Sequence, residues 1–164
     1  MTPSVVDGLA LVYFEHGRWK EAEALQVVVV EKRKQLLGDD HPDTLKSMGN
    51  LANTYSDQGK SKEAEALQVV VVEKRKQLLG DDHPDTLKSM DNLAVAYSKQ
   101  RRWKEAEALQ VVVVEKTKQL LGDDHPDTLK SMGNLAITYS NQGKWKEAEA
   151  LQVVVVEKMK QAAR

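Results

Sequence analysis

A chain of 164 residues with 24 Lys and Arg against 25 Asp and Glu carries a formal net charge of −1, so it has no positive surplus for a nucleic-acid backbone or an anionic membrane surface. Without cysteine it has no disulfide, thiolate nucleophile or cysteine metal site. No stretch approaches the roughly 18 apolar residues of a spanning helix, and the N-terminus lacks a basic region leading into an apolar run and a cleavage site, so a cytoplasmic protein with neither nucleic-acid nor membrane partners is expected.

The string Lys-Glu-Ala-Glu-Ala-Leu-Gln-Val-Val-Val-Val-Glu-Lys begins at Lys20, Lys62, Lys104 and Lys146, 42 residues apart each time. The expected organisation is one domain, 1–164, of four repeats in register: 1–40, 41–82, 83–124 and 125–164. In the first repeat, Val5, Leu11, Val12 and Phe14 stand where the second has Ser47, Asn53, Thr54 and Ser56. That first helix is therefore more apolar than its copies, and the last helix repeats the internal sequence with no solvating helix after it. Both ends are expected to expose surface that the interior buries, which allows head-to-tail self-association through Val5, Leu11, Val12 and Phe14.

The second repeat shows the elements most fully. A helix is predicted from about Pro42 to Gln58, with Pro42 at its first position, Asp43 facing the positive end of its dipole and His41 as N-cap. Leu45, Met48, Leu51, Ala52 and Tyr55 make its apolar stripe, and Gly59 stops it. A second helix is predicted from about Lys62 to Leu79, acidic at its start and basic near its end, with Gly80 as cap. The run Val69 to Val72 favours a strand locally, but the helix-forming flanks and the spacing of Ala64, Leu67, Val71, Lys74, Arg75 and Leu78 outweigh it. The third and fourth repeats follow the same plan.

The spacing Leu51, Ala52, Tyr55, Gly59, Ala64, which recurs in every repeat with Arg101 in place of the glycine in the third, resembles the tetratricopeptide consensus. The 42-residue period and the phrase Leu-Gly-Asp-Asp-His-Pro-Asp-Thr-Leu at Leu79 to Leu87 look like the longer kinesin-light-chain type. Gln68 departs from the consensus, which places an aromatic or large apolar residue there. The resemblance implies an all-α, right-handed α-solenoid of four helix-turn-helix repeats, eight helices in all. It also implies a concave face lined by the first helices and a role in binding protein or peptide.

Three constellations suggest chemistry and are better read as structure. Asp39-Asp40-His41-Pro42-Asp43 could hold a divalent ion, but it has the residues an interhelix turn needs, and copies one repeat apart are too distant to share a metal. Thr54 to Ser61 is one residue short of a phosphate-binding loop, yet it ends a helix instead of following a strand. Ser, His and Asp are present, but apart from His16 the histidines sit in the repeated turns, and no nucleophile, base and orienter stand as a unit. No catalytic residue, metal or cofactor is assigned.

Residues 41–82 and 83–124 are identical at 34 of 42 positions, so the differences can be read for function. Among the three fuller repeats the first helix varies at Gly49/Asp91/Gly133, Asn53/Val95/Ile137, Thr54/Ala96/Thr138 and Asp57/Lys99/Asn141, and three of these four, 49, 53 and 57, form a stripe at i, i+4 and i+8. Exposed positions such as Lys46, Lys62, Glu65, Glu73 and Lys76 do not vary in these repeats. Changes at the turn (Gly59/Arg101/Gly143) and at Arg75/Thr117/Met159 fall outside the stripe. Beside it run invariant rows, Asn50, Asn92 and Asn134, and Lys46, Lys88 and Lys130. The asparagines suit either the backbone of an extended peptide or a bridge between neighbouring first helices. Asn53, Asn92 and Lys130 match part of the carboxylate clamp of chaperone-binding tetratricopeptide domains, while Gly49 and Asn134 do not. These positions form the expected peptide-binding groove of a non-enzymatic scaffold, with structural self-assembly as the alternative.

Overall fold

The computed structural model describes residues 2–164. They form eight α-helices and no strand: α1 (Pro3–Glu15), α2 (Trp19–Leu37), α3 (Pro42–Asp57), α4 (Ser61–Leu79), α5 (Pro84–Lys99), α6 (Trp103–Leu121), α7 (Pro126–Asn141) and α8 (Trp145–Ala162). Odd-numbered helices are the first of each predicted pair, and α3 and α4 end within one residue of the expected bounds. The chain divides into two compact units, Met1–Leu78 and Leu79–Arg164.

The turn before each later first helix is built as its composition predicts. The Nδ1 atoms of His41, His83 and His125 accept from the backbone N–H of Asp43, Asp85 and Asp127 at 3.1, 3.0 and 3.1 Å. Imidazole thus does the work usually given to a serine or aspartate N-cap. The preceding aspartates, Asp40, Asp82 and Asp124, pair with Lys74, Lys116 and Lys158 on the second helix of the following repeat. The phrase that resembles a metal ligand set is therefore a helix cap and an ion pair.

First helices end in a Schellman motif. After α3 the N–H of Gly59 donates to the Ser56 carbonyl at 3.1 Å and that of Lys60 to Tyr55 at 2.8 Å. The third repeat makes the same bonds with Arg101 in the glycine position, at φ 60°, where a β-carbon crowds the backbone. Second helices end differently. Gly38 and Gly122 cap α2 and α6 at φ 93°, ψ 164° and φ 91°, ψ 165°, a region open essentially to glycine alone.

Packing sandwiches α3 between its neighbours. Leu45, Met48 and Leu51 of α3 meet Val30 of α2 and Val71 of α4, with Tyr55, Leu67 and Val70 against them. In the second unit Met132 and Leu135 of α7 join Val114 of α6, with Leu151 and Val155 of α8 packed on the cluster. This explains why the valine run is helical. Burying a valine is worth about 1.5 to 3 kcal/mol, whereas its weaker helix propensity costs less than about 0.7 kcal/mol. Where α2 and α3 meet beyond the core, Gln58 and Lys60 both donate to Glu23, at 2.6 and 2.9 Å, and Gln142 and Lys144 do the same to Glu107.

One core assignment needs correcting. Leu78, expected on the apolar face of α4, is 51% exposed, because the last turn runs past its packing partners. Gln68, the departure from consensus, is 2% exposed, and its Nε2 reaches Asn53 Oδ1 at 3.4 Å. The buried face of α4 is Ala64, Gln68, Val71 and Val72.

Ala94 of α5 and Ala106 of α6 are fully buried. Ala94→Leu is therefore expected to lower stability by about 1 to 3 kcal/mol through overpacking, read from urea unfolding. An unchanged midpoint would place the helix crossing elsewhere. Arg101→Gly is expected to raise stability by up to about 1 kcal/mol, the relief of a left-handed residue less the extra freedom of unfolded glycine. A loss in the same measurement would mean that the arginine side chain contributes more than its backbone costs.

Candidate functional site

The outward faces of the first helices carry the residues singled out by variation. On α3, Lys46, Asn50, Asn53 and Asp57 are exposed and Gly49 half-buried. On α5, Lys88, Val95 and Lys99 are exposed, with Asp91 and Asn92 half-buried. On α7, Lys130, Ile137 and Asn141 are exposed, with Gly133 and Asn134 half-buried. A β-carbon at Gly49 or Gly133 would meet nothing within 4 Å, so packing does not require glycine at either place.

The asparagine row is not uniform. Asn134 Nδ2 donates to Asp91 Oδ2 at 2.8 Å, a bridge from α7 to α5, which is one of the two roles the sequence left open. Its amide is thereby engaged by a neighbouring helix.

The residues expected at a self-association surface separate. Val5 and Val12 are exposed on α1, at positions where α3 buries Ser47 and Thr54. Leu11, one residue and about 100° round the helix from Val12, is also exposed and borders a cavity of about 180 Å³ with Asp7, Phe14, Gln26, Asn50 and Asn53. Leu11 also occupies the stripe register, which reads Leu11, Asn53, Val95, Ile137 along the four first helices. At the other end of the chain Val156 of α8 is 49% exposed, where its copy Val114 in α6 is 6% exposed.

Variation outside the stripe proves to be coupled to it. In the first unit the Arg33 guanidinium of α2 pairs with Asp7 Oδ2 of α1 at 2.6 Å and donates to the Ser47 hydroxyl of α3. Two repeats later the same three positions are Asp91, Thr117 and Ser131, and all three line a cavity of about 200 Å³ in the second unit. Thr117 cannot reach the carboxylate; its hydroxyl donates to the Val113 carbonyl at 2.6 Å. Asp91 Oδ2 is bonded to Asn134, while Oδ1 is buried without a partner. Burial pushes the Asp91 carboxyl above the usual aspartate range, and the Asn134 bond and the Lys130 charge pull it part of the way back. Sequence reading noted the change at Thr117 but had no means of connecting it to Asp91. Along the four repeats these positions read Asp7 with Arg33, Gly49 with Arg75, Asp91 with Thr117 and Gly133 with Met159, so they do not change together and no sequence signal joins them.

The family model for the tetratricopeptide repeat matches residues 6–43, 44–85, 86–127 and 128–163. Two crystal structures of a Podosopora anserina protein described as a kinesin light chain with nearly identical repeats of this type, one of them carrying a single substitution, are similar to the chain. Each is 31% identical, over 99% of this chain and 76% or 77% of its own, with TM-scores of 0.87 and 0.83. BtubC from P. vanneervenii superposes with a TM-score of 0.88 over 98% of this chain and 64% of its own, at 19% identity, a likeness of fold alone. Comparison with curated proteins gives no match.

Because burial raises the folded-state pKa of Asp91, the ionised carboxylate destabilises the fold above that pKa, and this cost disappears once the pH falls below the ordinary aspartate range. Asp91→Asn should accordingly raise the thermal midpoint at neutral pH, with the gain shrinking toward zero in acid. A gain that stays constant across the titration would exclude the carboxylate as its cause.

Proposed function

The chain belongs to the tetratricopeptide repeat family, and on that premise we propose that it is a non-enzymatic scaffold holding a peptide or protein segment along the outward face of its first helices. The fold is one that generally mediates protein–protein interaction. The observation that carries the reading is the register Leu11, Asn53, Val95, Ile137, the centre of the variable stripe. Three of the four are apolar and yet exposed, Ile137 at 57%. Leucine, valine and isoleucine at one varying first-helix register, set amid lysines and asparagines, suit contact with apolar side chains of a partner. The invariant Lys46, Lys88 and Lys130 row beside the stripe would add a shared electrostatic contact, and the variable residues the discrimination. No helix among the described residues is long and apolar enough to cross a membrane, and a cytoplasmic setting belongs to the same proposal.

A second reading has its own observation. Val5 and Val12 on α1 and Val156 on α8 are exposed where their copies are polar or buried, which suits a heterologous contact between copies of the chain.

The two readings separate by mutation. Val95→Lys with Ile137→Lys is expected to lose at least tenfold of the partner recovered from native-source lysate, with Val5→Lys and Val12→Lys having no such effect. Retention of the partner by the stripe variant would overturn the groove reading. Concentration-dependent light scattering that the Val5 and Val12 changes abolish would favour self-assembly.

A further inference from the structure

We propose that the second unit contains a guanidinium pocket, formed around Asp91, Thr117 and Ser131, that takes an arginine side chain of the bound segment. The proposal rests on the reading of the first-helix face as a binding surface and names the chemistry of what binds there.

The first unit supplies the template. Arg33 is 9% exposed and reaches three acceptors: Asp7 Oδ2, the Ser47 hydroxyl and, at 3.5 Å, the Asp43 carbonyl. The second unit keeps every acceptor position, as Asp91, Ser131 and Asp127, and replaces only the arginine, by Thr117. The space left is the cavity of about 200 Å³. Its wall includes the exposed Lys88, Leu120 and Lys130, so it can be reached from solvent.

Three features select a guanidinium. Asp91 borders the cavity with its Oδ1 desolvated and unpartnered, while Oδ2 is already held by Asn134. A buried carboxylate oxygen without a donor is costly, and a charge-assisted N–H donor is what removes the cost. The apolar wall made by Leu87, Val113 and Leu121 suits the methylene stem of an arginine, whose planar head then spans carboxylate and hydroxyl as Arg33 does in the first unit. Lys88 and Lys130 balance Asp91 and Asp127 at the wall, so net charge alone does not drive entry. The discrimination comes from the hydrogen bond to Oδ1. Where the fourth repeat changes both members, to Gly133 and Met159, neither a carboxylate nor an arginine is retained.

The test uses the full chain and N-acetyl-L-arginine methylamide, titrated by NMR, with the citrulline analogue as the neutral isostere. The arginine amide is expected to bind with a Kd of about 1 mM, shifting Asp91, Val113 and Thr117 signals. The citrulline amide should be at least tenfold weaker, and Asp91→Asn should weaken the arginine amide to the same degree. Thr117→Arg should abolish binding and raise the thermal midpoint, since it rebuilds the contact made by Arg33. If Thr117→Arg fails to fold, Asp91→Asn and the citrulline control still decide. Equal binding of citrulline, or arginine binding that survives Asp91→Asn, overturns the pocket. Partner capture that still depends on Val95 and Ile137 would in that case leave the groove standing, so the two failures are distinguishable.

Discussion

The structure depends on wedging a first helix between two second helices. In the first unit α3 has one side on α2 and the other on α4, and in the second unit α7 stands likewise between α6 and α8. A helix covered on two sides needs a wide apolar arc and close approach. That is why alanine occupies Ala52, Ala94 and Ala136 and also Ala64, Ala106 and Ala148, all essentially inaccessible. The same wedge leaves a narrow outward arc of α3 and of α7 unpacked. Change is tolerated in that arc without disturbing the array, so a repeat protein can alter what it touches and keep how it stacks.

Much of the charge is committed to stitching. His41, His83 and His125 each cap the helix they precede, Asp40, Asp82 and Asp124 each meet a lysine of the following repeat, and Glu23 and Glu107 each gather a glutamine and a lysine from the following turn. The hydrogen bond from Lys60 holds the Glu23 carboxyl below its usual range, and Glu107, despite the opposing effect of burial, is lowered by Lys144 and Gln142. Exposed pairs of this kind add little to stability. Their effect is orientational, because they join each turn to a helix beside it. A composition rich in charge yet almost neutral in sum is what such pairing requires.

Against that uniform background the third repeat is the individual one. It has a left-handed arginine at Arg101, a half-buried carboxylate at Asp91 where the second and fourth repeats have glycine, and a threonine where the first and second have arginine. Asp91 and Thr117 meet at one cavity, so the departures are not independent drift along the chain. Function in a repetitive scaffold is legible where local rules fail together.

By itself the sequence determined the repeats, the eight helices and their caps, since period, glycine, proline and N-cap signals act within a few residues of one another. His41 and Gly59 could be assigned from their neighbours alone. The stripe of Gly49, Asn53 and Asp57 was also legible, because four-residue spacing is a property of one helix. Burial was harder. Leu78, expected on the apolar face of its helix, is exposed, because exposure depends on where a neighbouring helix stops, and Leu11 borders a cavity that Val12 does not, because adjacent residues point to different neighbours. The meeting of Asp91, Thr117, Ser131 and Asn134 was decided only by tertiary structure. Those residues lie on three helices, and no local signal reports which side chains meet when helices cross.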